Sequence, residues 1–301
     1  MDVSILDQIG PTELRTIFLP FLGNYLNRED ERDQVLAEMG SCVAALSDEQ
    51  LAGMLEHMRA IGKDYTLHEA HGVARTVTRR WAHSLLGAPE VRGLEHLLDS
   101  VAQGPTVILS NHLSYFDANI VDVALETQGQ DGLSRRLMVA AGPKVYSDLF
   151  RLFAAASLAT VKVPQSTSLG HTEQMSGREL ARRAISSLKA ARHGLEEGRF
   201  LLIYPEGSRT RTGRMCSWLK AVYRYAELVP CRVVPATVEG ADEVMPVGSM
   251  KMQRAATTIR FGEPFEVGPK GGKQALERAR EQVASMLPMA MRPADGDVAF
   301  V

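Results

Sequence analysis

The sequence predicts an α/β fold: a mostly parallel or mixed sheet flanked by helices, preceded by an N-terminal helical bundle or layer. Two observations carry this expectation. From about residue 90 onward, short apolar runs alternate with segments of helical periodicity, the pattern of strands covered on both faces by helices. Before residue 88 the apolar spacing is helical throughout. A third observation locates the interesting chemistry. Two of the apolar runs, Thr106 to Leu109 and Phe200 to Tyr204, empty directly into polar, charged loops. Sheets of this class bind ligands at the carboxyl ends of their strands.

The chain divides by pattern into a helical region (1–88), an α/β domain (89–290) and a loose tail (291–301). In the first region, helices are expected over Glu13 to Leu26 and Glu31 to Ala45. Ser47-Asp48-Glu49-Gln50 has the order of a capping box, with Leu51, Met54, Leu55 and Met58 following at helical spacing. Thr66-Leu67-His68-Glu69 repeats that signal ahead of Val73, Val77, Trp81 and Leu85, and Gly87-Ala88-Pro89 is a stop. In the second region, strands are expected at 107–110, 136–141, 159–163, 200–204, 232–238 and 257–261. The intervening helices fall at 118–126, 145–155, 178–197 and 218–228, with a last one over 274–286. The segment 292–301 reads as an unanchored end.

Composition limits the function classes. Thirty-four basic residues against 36 acidic ones leave a net charge of −2, so no broad nucleic-acid surface is expected. The three cysteines, Cys42, Cys216 and Cys231, are few and far apart. They form no zinc spacing and no disulfide framework, so no metal site is expected and a reducing, cytoplasmic setting is. The first residues lack the basic start and apolar core of a signal peptide, and no window of about 18 apolar residues is present. Membrane contact, if it occurs, is expected to be peripheral. The dense patch Ile17, Phe18, Leu19, Phe21, Leu22 can either pack on the main domain or dip into a bilayer surface.

The first polar loop reads Ser110-Asn111-His112-Leu113-Ser114-Tyr115-Phe116-Asp117. His112 lies just past the strand, with Asp117 five positions on. The carboxylate can hold one imidazole nitrogen and leave the other to take a proton from a substrate hydroxyl. This is the base-and-orienter half of a triad without a nucleophile. Asp117 has a plainer alternative role as the cap of the helix that follows. Neither Cys216 nor Ser208 lies in a nucleophile-elbow sequence. Direct attack by an acceptor alcohol on an activated acyl group therefore fits better than a covalent intermediate.

The second loop reads Glu206-Gly207-Ser208-Arg209-Thr210-Arg211. Gly207 lets backbone approach a ligand closely, and Arg209 and Arg211 offer planar forks suited to phosphate. Glu206 is expected either to hold one of these arginines or to accept an acceptor hydroxyl.

Taken together, these blocks resemble the glycerophospholipid acyltransferases. His112 to Asp117 resembles the family's H-x-x-x-x-D block, and Tyr204-Pro205-Glu206-Gly207-Ser208-Arg209 its F-P-E-G-T-R-S block. Val234-Pro235-Ala236 is similar to its V-P-[VI] block and Phe261-Gly262-Glu263-Pro264 to its closing G-x-P signature. The four occur in the family's order across about residues 90–267. The resemblance implies acyl transfer from acyl-CoA or an acyl carrier protein to a hydroxyl of a phosphate-bearing alcohol, with no cofactor beyond the acyl donor. It implies His112 as base and Asp117 as its orienter. It places Asn111, Lys144, Lys162, Glu206, Gly207, Ser208, Arg209, Arg211 and Pro235 at the substrates. The family's second block usually ends in an arginine; here Ser157 to Gln165 contains none, and Lys162 is the nearest cation. The helical region and Val139-Ala140-Ala141-Gly142-Pro143-Lys144 are similar to soluble plastid-type glycerol-3-phosphate acyltransferases, which favours glycerol 3-phosphate as acceptor. A 1-acylglycerol 3-phosphate, a non-glycerolipid acceptor and a non-catalytic lipid-binding role are the alternatives.

Overall fold

The computed structural model describes residues 2–27, 29–164 and 176–301; Gln165, the last residue of the second block, lies outside them. Its centre is β3 (Thr106–Ser110), buried along its whole length. β3 is flanked by β6 (Phe200–Ile203) and β7 (Cys231–Glu239), both parallel to it. β4 (Leu137–Ala141) and β5 (Ala159–Lys162) extend the parallel set beyond β6. At the far edge β1 (Leu67–His68) runs antiparallel to β5. At the other edge β8 (Thr258–Phe261) is antiparallel to β7 and parallel to β2 (Glu90–Arg92). β9 (Phe265–Val267) pairs antiparallel with the start of β7. The order is β1-β5-β4-β6-β3-β7-β8-β2, a mixed sheet with a parallel middle.

Side chains alternate between two cores. Val107 and Leu109 of β3 join Leu201 and Ile203 of β6 on one face, under α9 (Gly177–Glu196) and α11 (Gly272–Met286). Ile108 and Leu202 point the other way, toward α6 (Asp117–Thr127) and α8 (Leu149–Ala156). This two-residue period in fully buried strands is what a sheet covered on both faces requires.

The helices before the sheet are α1 (Pro11–Gly23), α2 (Glu29–Ala44), α3 (Asp48–Ala60) and α4 (Gly72–Leu86). The expected capping box forms at α3, where Ser47 and Gln50 exchange side-chain and backbone bonds. These helices have no separate core, since one apolar cluster runs from Phe18 and Trp81 through Phe116 and Phe150 to Ile108. α4 is bolted to α6 by buried charges. Asp122 accepts from Arg75 (3.1 Å) and from Arg79 Nε (2.7 Å), and Arg79 continues to Asp131. The boundary at residue 88 is thus a change of pattern, and the first 88 residues also give the sheet its edge strand.

Three expectations are corrected and two elements are added. The helix start at Thr66 is displaced, because Leu67 and His68 pair with Val161 and Thr160 and the helix begins at Gly72. Lys220–Glu227 is a 3-10 helix and not an α-helix. Strand β2 and the helix α5 (Leu94–Gln103) lacked a sequence signal strong enough to be expected. The end of the chain is anchored: Trp218 N donates to Ala299 O, Val301 N to Trp218 O and Lys220 N to Val301 O. The apolar patch of α1 packs inward, with Phe18, Phe21 and Leu22 buried and Phe18 edge-on to Phe153 at 5.4 Å. Among the described residues, no helix is long and apolar enough to cross a membrane.

Candidate active site

β3 and β6 are neighbours in register, Leu109 opposite Ile203, so the loops that leave them meet. Two backbone contacts join the loops. His112 N donates to Glu206 Oε1 (2.9 Å), and Thr210 N donates to His112 O (2.9 Å).

Within the first loop, His112 Nδ1 lies 2.8 Å from Asp117 Oδ2. The same oxygen accepts the Leu113 amide at 2.8 Å. α6 starts at Asp117, yet that carboxylate turns back into the loop and caps no helical amide. Asp117 is fully buried, and its Oδ1 has no partner. The His112 side chain remains 15% exposed. Its ring stacks on Tyr204, with centroids 4.4 Å apart and planes 16° apart. A ring held by a carboxylate at Nδ1 and by an aromatic face has one orientation. Nε2 bonds to none of the described residues. Burial pushes the Tyr204 hydroxyl well above the usual tyrosine range, so Tyr204 packs as a neutral ring.

Glu206 is engaged by backbone amides. Its carboxylate is 3% exposed and receives two backbone amides, His112 N at Oε1 and Cys216 N at Oε2 (2.8 Å). It pairs with neither arginine, and its role is to clamp three loop segments together. Burial raises its pKa, and the two amides partly offset that shift. Burial and then the charge of Glu206 also raise the Cys216 thiol, which disfavours a nucleophilic thiolate there.

Asn111 is likewise engaged by backbone. Its side chain is buried and closes both bonds with one residue of β7, donating to Val238 O and accepting from Val238 N, each at 2.9 Å. It extends the β3–β7 ladder past Ser110. Pro235 is buried inside β7, opposite Leu109. Its carbonyl accepts from Gly262 N (2.7 Å), between the stretches of β7 that pair with β9 and β8, where a missing N–H costs little.

Lys162 ends β5, three strands from β3, about 14 Å across the sheet. Its ammonium donates to Gly62 O and lies over Tyr65 and Tyr146. It does not stand in for the missing arginine at His112. Lys144 is exposed in the 3-10 turn after β4. Gly207 adopts φ +68°, a turn that glycine favours, and Ser208 and Arg211 are exposed beside it.

Arg209 does reach the first loop, with its guanidinium 4.0 Å from the centroid of the Tyr115 ring. Two residues of this arrangement escape a reading of the sequence alone. One is Tyr115. The other is Arg151 of α8, whose guanidinium lies 4.7 Å from the same centroid. A charge inside the apolar run Leu149-Phe150-Arg151-Leu152-Phe153 was the available signal. Leu149 and Phe153 line a cavity of about 220 Å3 together with Phe18, Met54 and Met58.

Known proteins share this architecture. The chloroplastic 1-acyl-sn-glycerol-3-phosphate acyltransferase BAT2 of Brassica napus is 25% identical over 165 residues, 53% of this chain and 40% of that protein. A protein of the same description from Chlamydomonas reinhardtii is 30% identical over 107 residues, 36% and 32% of the two chains. The chloroplastic LPAT1 of Arabidopsis thaliana is 34% identical over 68 residues, 23% and 19%. The chain thus spans less than half the length of these curated relatives. The crystal structure of the 1-acyl-sn-glycerophosphate acyltransferase PlsC from Thermotoga maritima superposes with a TM-score of 0.50 at 15% identity, covering 90% of this chain and 97% of that one. The fold is shared. A family model described as Acyltransferase matches residues 88–239, the stretch that carries both loops and most of the sheet, and the chain belongs to that family.

Proposed function

We propose that the protein moves a fatty acyl group from an acyl thioester to the free hydroxyl of a 1-acylglycerol 3-phosphate. The observation that carries this reading is the dyad: His112 Nδ1 held at 2.8 Å by a buried carboxylate, with Nε2 free and the side chain partly exposed. An imidazole so held can take the acceptor's hydroxyl proton at Nε2. The acceptor oxygen then bonds to the acyl carbon, the carbon–sulfur bond breaks, and the departing thiolate takes the proton back from Nε2 as a thiol. Asp117 stabilises the imidazolium formed in between. No acyl-enzyme intermediate is needed. Arg209 is the natural partner for the acceptor phosphate.

The choice of acceptor is supported by the names of the relatives, all 1-acylglycerol-3-phosphate acyltransferases. The N-terminal helices favoured glycerol 3-phosphate in the sequence. That weight is reduced, since 90% of this chain superposes on an enzyme named for lysophosphatidate. Acyl-CoA and acyl carrier protein are both proposed as donors, and contact with the membrane that holds a lipid acceptor is proposed to be peripheral.

The test is thiol release from acyl-CoA and from acyl carrier protein, with lysophosphatidate, glycerol 3-phosphate or no acceptor. Release that depends on lysophosphatidate is expected. Release only with glycerol 3-phosphate, or none above the acceptor-free rate with any acceptor, overturns the reading.

A further inference from the structure

We propose that Arg151, which lies outside all the recognised motif blocks, is a second cation on the acceptor's phosphate and replaces the arginine missing from the second block. The inference rests on the acceptor reading above and adds a residue to it. Tyr115, three residues after His112, has the guanidinium of Arg209 at 4.0 Å and that of Arg151 at 4.7 Å from its ring centroid. These two distances put the guanidiniums no more than about 9 Å apart, within the range where like charges repel. Neither is tightly paired. Arg209 forms no ion pair among the described residues, and its buried Nη1 has no hydrogen-bond partner. Arg151 reaches only to 3.6 Å from Asp148, and its buried Nε also lacks a hydrogen-bond partner. Other arginines of this structure also have an unbonded buried nitrogen, but these two stand at one ring of the loop that carries His112, where an anion can use the open donors of both.

Arg151 is also held in place. At the start of α8 the Asp148 side chain accepts the Arg151 amide (3.1 Å) and caps the helix. At its end, Asn119 of α6 donates to Ala154 O (3.2 Å) and Ser157 Oγ (2.8 Å). α6 is the helix that carries Asp117. The same element therefore fixes both the base's orienter and the helix that presents Arg151. A phosphate bound by both guanidiniums at Tyr115 sits on the loop that carries the base, which suits a hydroxyl a few bonds from the phosphate. Lys162, the substitute that the sequence offered, is occupied at Gly62 and stands three strands away.

The experiment compares wild type with Arg151→Gln and Arg151→Lys. Three quantities are read: KM for lysophosphatidate, KM for the acyl donor, and the inhibition constant of inorganic phosphate against the acceptor. In Arg151→Gln the acceptor KM and the phosphate inhibition constant should each rise roughly ten- to a hundredfold, the range of a lost charge-assisted contact. The donor KM should change less than about twofold. Arg151→Lys keeps the charge without the fork and should fall between. An unchanged acceptor KM, or a rise shared equally by both substrates, overturns the role. Should Arg151→Gln fail to fold by thermal unfolding, the same three constants in Arg151→Lys decide the matter. A wild-type protein with no transfer to lysophosphatidate sinks the acceptor reading alone. The thermal midpoint measured against inorganic phosphate then decides Arg151: a rise present in wild type and missing in Arg151→Gln upholds it, and an equal rise in both rejects it.

Discussion

Oδ2 of Asp117 accepts from Nδ1 of His112 and from the backbone amide of Leu113, each at 2.8 Å. One oxygen thus fixes both the imidazole and the backbone that carries it. Asp117→Asn can keep the shape, because an amide oxygen can occupy the same point. It removes the charge that stabilises the imidazolium formed during transfer. Turnover is expected to fall roughly a hundredfold or more, with the acceptor KM little changed. Steady-state kinetics on the variant check this, and a KM effect without a kcat effect would assign Asp117 to binding.

Glu206 holds the two loops together through a different chemistry. Glu206→Gln offers one acceptor oxygen where two amides, from His112 and Cys216, need one each. A buried amide left without a partner costs about 1–3 kcal/mol. The thermal midpoint should drop by several degrees, and activity should drop with it as the His112 backbone is released. Retained stability would mean that water reaches the vacated amide.

Asp122 lies between the buried guanidinium of Arg75 and the partly buried one of Arg79. Asp122→Ala strands Arg75 and leaves Arg79 paired with Asp131. Removal of one partner from a buried ion pair costs about 3–5 kcal/mol. Chemical denaturation should show a loss in that range. The effect should reach the site, because α4 backs α6 and Trp81 packs edge-on to Phe116 at 6.1 Å, one residue before Asp117.

His57 and His71 face each other with ring centroids 5.3 Å apart, and His57 Nε2 and His71 Nδ1 are buried without partners. Burial, followed by the neighbouring His71 and His68, depresses the His57 pKa to about 4. The unfolded chain then binds more protons than the native one between the ordinary histidine value of 6.5 and about 4. Stability is therefore complete above that window and is lost as pH falls through it. Thermal midpoints should decline on acidification from neutral pH, and His57→Gln should flatten the decline between about pH 6.5 and 5. An identical slope in the variant would count against a buried neutral His57.

The fold was legible where local signals and burial agree. The apolar runs of β3, β6 and β7 are buried on both faces, and their sequences have no other use. The failures are places where a tertiary partner decides. Leu67–His68 reads as a helix start and becomes a strand because β5 has an open edge. Residues 298–301 read as a loose end and are held because Trp218 and Lys220 present backbone groups to them. At the site, the sequence spacing anticipated the contact between His112 and Asp117. It did not anticipate the partners of Glu206 and Asn111, whose polar groups bond backbone from segments up to 127 residues away. It missed Arg151 because no local pattern says which ring a guanidinium on a distant helix will meet.

The proposed chemistry turns on His112 Nε2 taking the proton of an incoming alcohol. Acceptor-dependent thiol release by wild type and His112→Ala measures this, with circular dichroism and thermal unfolding to show that both are folded. A folded variant slowed by about a hundredfold or more is the expected result. Unchanged turnover in a folded His112→Ala protein would rule out His112 as the base.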